Sequence, residues 1–336
     1  MNRISGGAAH WVDPAPTPLQ AESVALLDPG RWSRATGPAG PSAASPRGTS
    51  PGASPPTARA GAWITDTGWG DGDRAAVRQV LNGRYDVFAR VVTRTLAEEP
   101  GLRATGRMAE LVPELVALCA YRAGERDHIN KALRTSSGLG ADDRATILAR
   151  GALRGLRRLP AVLGPVFAAG HDAEAVVGAY RAGDELVEPA FVDVDISGSR
   201  SPDATVEYVI WSVSAHQLSR FAPERPGGAV FAPGSRFAVL AIDPPADGHG
   251  PLRVLLRDRV GDQPGRTADD RLLDRLRGAV PRGSGDRPLR HLGFAPGLDE
   301  HGRRYAPPPA DVGHGHRVSK PEGYGSGGAR GLGLTR

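Results

Sequence analysis

The chain has 336 residues and a formal net charge of +5, with 45 glycines, 30 prolines and an aromatic content of only 5%. Basic and acidic residues are interleaved, as in residues 142–150 and 269–277, so no long stripe of one sign forms and we expect no nucleic-acid partner. The single cysteine, Cys119, excludes an intrachain disulfide framework and a cysteine-based zinc site, and it is predicted to be a small core residue.

Two Gly- and Pro-rich regions flank the part of the chain that can fold. Residues 28–62 carry hardly an apolar side chain, and the chain after Pro281 is rich in Gly, Pro, Arg and His. We therefore predict disorder over 1–65 and 281–336 and one folded domain over 66–280, with its core at 115–258. No run of 18 apolar residues and no apolar leader is present, which predicts no membrane partner and a cytoplasmic protein; secretion without a signal peptide stays open.

Apolar residues recur at helical spacing in the first half of the domain. The spacing predicts helices over about 73–97, with Gly83 as a weak point, over 108–122 and over 142–157. A short helix is predicted over 172–180, and a final amphipathic helix over 267–277 turns Leu272, Leu273 and Leu276 towards the domain.

Short apolar runs bounded by Gly and Pro dominate after Pro160 and predict strands. The runs are GPVFAAG, PAFVDVDI, TVEYVIWSVS, GAVFAPG, RFAVLAID and LRVLLRD. Helices first and strands afterwards indicate an α+β fold, in which N-terminal helices pack on a split antiparallel β-sheet core.

The order of these pieces resembles the ADP-ribosyltransferase superfamily of bacterial toxins and arginine-specific transferases. In LCAYRAGERDHINKALR, the aromatic Tyr121 and the pairs Ile129–Asn130 and Leu133–Arg134 stand where the family's helical opening has such residues. The segment VFAPGSRFAVL and the later RVLLRD are similar to its closing strand pair. The chain therefore resembles a toxin-like member of that superfamily, of degenerate, actinobacterial type.

Active members, as the resemblance implies, use three elements on NAD. An Arg at the end of the first core strand binds the phosphates, a small polar run on a later strand shapes the ribose pocket, and a Glu stabilises the charge that develops as nicotinamide leaves. The Arg position falls on Ala168, the polar run on Asp193, Val194 and Asp195, the Glu position on Gly228, and an acceptor-activating position on Pro226.

These substitutions oppose NAD chemistry, because a clamp is lost, two carboxylates would repel a pyrophosphate, and a glycine carries no charge. Arg181 and Glu224 are possible surrogates for the missing Arg and Glu, although a helix-end residue and a turn are the plainer interpretations. Asp193 and Asp195 could also be the wet face of a strand, or could form a cation site with Glu207 or Asp203.

The sequence therefore predicts a catalytically inactive ADP-ribosyltransferase-like domain that binds an unknown protein partner, with no cofactor and no metal expected. His314 and His316, in a Gly-rich run, are interpreted as a biased segment, with weak metal binding as the alternative. The alternative function is a divergent NAD-dependent mono-ADP-ribosyltransferase or NAD glycohydrolase that uses the surrogates. A scaffold whose function lies in the two flanking regions is the third hypothesis.

Overall fold

The computed structural model describes part of the chain, chiefly the predicted domain. The described residues are 57–60, 63–64, 68–135, 140, 143–197, 200–218, 220–221, 225, 227–245, 248, 250–260, 266–279 and 288–308. Outside these residues lie 1–56 and 309–336, for which disorder is predicted. The positions Glu224, Pro226, His314 and His316 also lie outside them, so the predictions made for these residues stay predictions.

The first half of the described chain is helical. Its elements are α1 (Asp71–Leu81), α2 (Gly83–Glu98), α3 (Pro100–Arg103), α4 (Met108–Ala120), a π-helical turn (Tyr121–Glu125), α5 (Arg126–Arg134) and α6 (Arg144–Leu156). The break between α1 and α2 falls on Asn82, whose φ of 48° no continuing helix adopts, one residue before the predicted weak point. The predicted helices are confirmed, with small shifts at their ends.

Helices α4 and α6 form the centre of the helical layer, and two glycines let them approach closely. A Cβ on Gly155 would lie 2.5 Å from the carbonyl oxygen of Glu114, and one on Gly151 would lie 2.7 Å from the Cβ of Ala117. The Glu114 side chain is fully buried here and is paired with Arg158 at 3.0 Å. Cys119 belongs to this core, as expected, and burial raises the pKa of its thiol to about 12.

The second half forms one eight-stranded sheet flanked by two more helices. The elements are β1 (Gly164–Gly170), α7 (Ala173–Ala179), β2 (Glu185–Glu188), β3 (Val192–Asp195), β4 (Val206–Ser212), β5 (His216–Gln217), β6 (Gly228–Phe231), β7 (Ser235–Asp243), β8 (Leu252–Arg259) and α8 (Arg266–Gly278). The strand order is β2-β7-β8-β4-β1-β3-β6-β5. All strand pairs are antiparallel except β4 with β8, which run parallel, so the sheet is mostly antiparallel, as predicted.

The sheet is split between β1 and β3. Those two strands share a single register pair, Phe167 with Asp195, whereas β1 and β4 stay paired from Gly164 to Gly170. On one side of the split, Phe191 and Val230 join the helical core. On the other side α8 covers the sheet, with Leu276 buried and its neighbours Leu272 and Leu273 packed beside it, as predicted. The α+β class and the packing of helices on a split sheet are thus confirmed.

Residues 288–308, here called the C-terminal segment, are ordered against this domain, which corrects the disorder predicted from residue 281. Leu289, Leu292, Ala295, Leu298 and Tyr305 are buried. Residues 57–60 are also described, and Ala58 forms an isolated bridge with Tyr305. The segment is ordered because the domain supplies partners for its backbone and for its apolar side chains, which composition alone does not reveal. No helix among the described residues is long and apolar enough to cross a membrane.

Candidate functional site

The cleft that the resemblance points to opens where β1 and β3 part. Beyond Phe167, β1 exchanges β3 for the C-terminal segment: the Ala169 amide donates to the Arg290 carbonyl, and the Leu292 amide donates to the Ala169 carbonyl, both at 2.8 Å. A cavity of about 930 Å³ remains between α5, β3 and the segment. The segment therefore lies along the end of β1 and pairs with it through an isolated parallel bridge between His291 and Ala169.

Ala168, which the resemblance aligns with the family's phosphate-binding Arg, offers no polar group. It is fully buried on β1, in register with Tyr208 on β4. Burial raises the pKa of Tyr208, and its hydroxyl has no hydrogen-bond partner among the described residues. A small side chain at 168 thus faces a buried neutral phenol.

Asp193, the first member of the polar run, is neutralised by the helical layer. Its carboxylate, 4% exposed, accepts from the Tyr121 hydroxyl and from Nη1 of Arg122, both at 2.8 Å. Nη1 of Arg126 lies 3.9 Å from the same carboxylate. Burial, followed by the charge of Asp193, raises the pKa of Tyr121, which therefore stays protonated and donates.

Asp195, two residues further along β3, is paired separately. Nε and Nη2 of Arg225 contact its two oxygens at 2.6 and 2.8 Å, and the backbone amide of Arg290 donates at 2.7 Å. Burial, together with nearby guanidinium groups such as Arg126, lowers the pKa of Arg290. The sequence predicted two bare carboxylates that would repel a pyrophosphate. That prediction is wrong, because both carboxylates are paired with arginines.

The structure does not assemble the hypothetical cation site. Glu207 lies on β4 beside Arg200 and Arg253, at 3.4 and 3.8 Å, and Asp193 and Asp195 are occupied by arginines. Within the described ranges, no group of three or more metal-ligating side chains occurs.

Gly228, which the resemblance aligns with the family's catalytic Glu, lies in a tight backbone arrangement. It is in register with Asp195, and its amide donates to the Arg225 carbonyl at 2.9 Å. A Cβ at 228 would lie 3.1 Å from that same oxygen, so any larger side chain requires a small backbone shift.

The structure does not bring Arg181 to the cleft. Arg181 is exposed, and its Nη1 donates to the carbonyls of Val177 and Tyr180, at 3.0 and 2.6 Å, at the end of α7. This satisfies carbonyl groups that a helix end leaves without partners. Glu224 lies outside the described residues, so its role as a surrogate stays a prediction.

A buried ion pair lies at the cleft, and neither of its residues was predicted to be a site residue. Nη1 of Arg134, at the end of α5, lies 2.6 Å from both oxygens of Glu188, which is 0% exposed at the end of β2. Glu188 also accepts from the amides of Ala190 and Gly297, at 2.9 and 2.8 Å. Burial alone would lower the pKa of Arg134, but the Glu188 charge outweighs it and raises the pKa. Arg134 could have been selected from the sequence, because the Leu133–Arg134 pair is one of the features that carry the family resemblance.

The sequence also carries a signal for the C-terminal segment: the tetrapeptide Phe-Ala-Pro-Gly occurs at 231–234 and again at 294–297. The final glycines adopt a φ of 82° and 77°. Both glycines form a hydrogen bond with Glu188. The Gly234 amide donates to its main-chain carbonyl at 2.7 Å, and the Gly297 amide donates to its carboxylate at 2.8 Å. Two copies of one turn thus flank the same buried residue.

The sequence matches no protein-family model and no curated protein sequence. Solved structures with a similar arrangement include the type III effector XopAI of Xanthomonas axonopodis pv. citri, with 18% identity, a TM-score of 0.49, and coverage of 57% of this chain and 84% of that one. The ADP-ribosyltransferase HopU1 of Pseudomonas syringae pv. Tomato DC3000 has 16% identity and a TM-score of 0.45, with coverage of 57% and 98%.

Exoenzyme S of Pseudomonas aeruginosa, solved with human 14-3-3 protein beta and carba-NAD, has 15% identity and a TM-score of 0.42, with coverage of 59% and 96%. All three TM-scores are below 0.5 and all three identities below 20%, so the proposals below rest on the geometry of the chain itself. The structures that the chain resembles in its fold are those of bacterial ADP-ribosyltransferases and effectors.

Proposed function

We propose that this chain carries a catalytically inactive ADP-ribosyltransferase-like domain that serves as a protein-interaction module. The observation that carries the proposal is the content of the cleft. The positions that the resemblance assigns to catalysis carry an alanine, two arginine-paired aspartates and a glycine, and a segment of the chain itself runs beside them.

The charged groups that do converge on the cleft are satisfied by one another. Arg134 and Glu188 form a buried pair, and Phe294 of the C-terminal segment stacks 3.7 Å from the Arg134 guanidinium. A dinucleotide would have to displace that segment and separate the pair, and stabilisation of the transition state requires donors or charges aimed at an open reacting centre. This arrangement favours binding of protein over turnover of NAD.

The test is titration of the purified full chain with NAD, by calorimetry at millimolar cofactor, beside an assay for nicotinamide release. We expect no binding heat and no release above a buffer control. Release of nicotinamide that Glu224→Gln abolishes, while Glu98→Gln on the exposed face of α2 leaves it intact, would overturn the proposal.

One observation favours the second candidate, a divergent NAD-dependent mono-ADP-ribosyltransferase or NAD glycohydrolase. Four arginines lie close to Asp193 and Asp195, and a third carboxylate, Asp127, pairs with one of them, Arg126, at 2.8 Å. The forked donors of these four guanidinium groups suit a pyrophosphate. They are Arg122, Arg126, Arg225 and Arg290. For this candidate, NAD binding would weaken when Arg126→Ala is introduced and would weaken further with added salt.

The third hypothesis places the function in the flanking regions. Removal of 1–56 and 309–336 leaves every residue of the cleft in place, which makes it a cleaner test than cuts at the originally predicted boundaries. If a partner captured by the full chain no longer binds this shortened chain, the interaction belongs to the flanking regions. Retained binding supports the domain as the interaction module.

A further inference from the structure

We propose that the cleft is a peptide-binding groove whose resident ligand is the chain's own C-terminal segment, recognised through its Phe-Ala-Pro-Gly turn. The class of partner that fits is thus a peptide that presents the same turn in an extended flank. The inference builds on the proposed function in one respect, since it takes the cleft to receive protein and not a dinucleotide.

The segment is held by backbone pairing on both of its flanks. Residues 290–292 pair with Ala169 of β1 through two hydrogen bonds of 2.8 Å. Near its other end, the Ala58 amide donates to the Arg304 carbonyl at 2.8 Å and the Ala306 amide donates to the Ala58 carbonyl at 3.0 Å. Addition of a strand to an unpaired backbone edge is a recurrent mode of peptide recognition, in which main-chain bonds give affinity and side-chain pockets give specificity.

Between these flanks, the turn presents three groups to buried partners. The Phe294 ring lies over the Arg134 guanidinium at 3.7 Å, the Pro296 carbonyl accepts from the Tyr180 hydroxyl, and the Gly297 amide donates to Glu188 at 2.8 Å. Tyr180 and Glu188 are both fully buried. Their polar atoms are costly to leave without partners, so the domain is built to have this turn, or one like it, in place.

Glycine is required at the end of the turn for two independent reasons. Gly297 has a φ of 77°, which side-chain-bearing residues rarely adopt, and a Cβ there would lie 2.8 Å from the Cβ of Leu186 on β2. Gly293, four residues earlier, has ordinary φ and no atom within 4 Å of its would-be Cβ. The pair Gly297→Ala and Gly293→Ala therefore separates recognition of the turn from a general effect of alanine.

The segment also bridges the two halves of the domain. The Leu298 carbonyl accepts from Arg134 of α5, and the Tyr305 hydroxyl donates to the Arg134 carbonyl at 3.1 Å. On the sheet side, the Arg290 amide donates to Asp195 of β3 at 2.7 Å. A peptide arriving from another molecule would have to replace contacts to α5, β1, β2 and β3 together, which makes the groove selective.

The experiment uses the full chain with a specific protease site inserted at Gly283, so that the segment can be cut free after folding. A fluorescent peptide of residues 288–308 is added to the cut chain and its binding is followed by anisotropy. We expect the labelled peptide to replace the cut piece, the Gly293→Ala peptide to compete as well as the native one, and the Gly297→Ala peptide to compete at least about tenfold less well. Equal competition by the two variants, or no binding of the native peptide to the cut chain, overturns the proposal.

A second measurement covers the case in which cutting unfolds the domain. In the uncut chain, hydrogen exchange at the Leu292, Gly297 and Tyr305 amides is compared between Gly297→Ala and Gly293→Ala. Faster exchange in the first variant alone supports the groove, and equal exchange in both overturns it. Nicotinamide release by the cut chain would overturn the proposed function instead, because the peptide measurements do not depend on NAD.

Discussion

The buried pair of Arg134 and Glu188 gives the sharpest test of how the cleft is held together. The perturbation is Arg134→Met, which keeps the length of the side chain and removes its charge, together with Glu188→Gln and the double variant. Arg134 is about one-tenth exposed by its side chain and Glu188 not at all. With Met at 134, the carboxylate keeps the amides of Ala190 and Gly297 as hydrogen-bond partners among the described residues.

The expected cost follows from that burial. A charge left uncompensated in a protein interior destabilises the fold by about 3–5 kcal/mol. In a domain of this size, each kcal/mol lowers the melting temperature by about 2–4 °C, so Arg134→Met should melt roughly 6–20 °C lower than the unmodified chain. The double variant, with no bare charge, should lose clearly less than the sum of the two single variants, with a coupling energy of about 1–3 kcal/mol.

Thermal and urea unfolding followed by circular dichroism measures all four chains. The control is Arg94→Met, which removes an ion pair of the same type on α2 whose side chains are 82% and 61% exposed. Its effect should stay within about 0.5 kcal/mol. If Arg134→Met costs no more than this control, or if the single costs simply add, the pair is not the buried centre of the cleft and the reasoning fails.

Three further predictions concern other parts of the domain. Gly155→Ala should lower the free energy of unfolding in urea by about 1–3 kcal/mol, since its Cβ would meet the Glu114 carbonyl, while Gly83→Ala, where the space is open, should cost nothing; equal effects would contradict this close helix crossing. Burial, and then the neighbouring His171, lowers the pKa of His291, so the folded state prefers the neutral ring. The free energy of unfolding should therefore be highest above about pH 6.5 and should fall as the pH drops towards the lowered pKa. In His291→Gln the melting temperature should change less over the same pH range. The buried Cys119 thiol, whose pKa is raised to about 12, should react with a disulfide reagent at pH 8 only after denaturation, and rapid labelling of the native chain would contradict its place in the core.

Local patterns predicted most helices and strands because their apolar spacing is set by the face each one buries. The run GPVFAAG corresponds residue for residue to β1, and the helix predicted over 172–180 is α7 with one residue fewer at each end. Strand β5 was missed because it has only two residues, and β2 because its sequence ELVE has a charged residue at each end and only two apolar residues between them. The parallel pairing of β4 with β8 is a contact across the chain that no local pattern encodes.

The candidate site, too, could be predicted only in part from the sequence. A motif comparison could place Ala168, Asp193 and Gly228 on their strands, because motif positions travel with the strands that carry them. It could not foresee that Tyr121 and Arg122 reach Asp193 across 71 or 72 residues of sequence, or that Arg225 pairs with Asp195. Those contacts turn two apparent repulsive charges into neutralised groups, and they require the packing of helices on the sheet to be known.

The C-terminal segment shows why composition misled. Its apolar residues are diluted by glycine and proline and follow no helical or strand period, so alone the segment has no element in which to bury them. Its order comes from the split in the sheet: β1 continues past its single pair with β3 and leaves the Ala169 backbone to be paired. The order of the segment therefore depends on how the strands of the sheet part, and that is set by the packed domain and not by any local pattern of the segment itself.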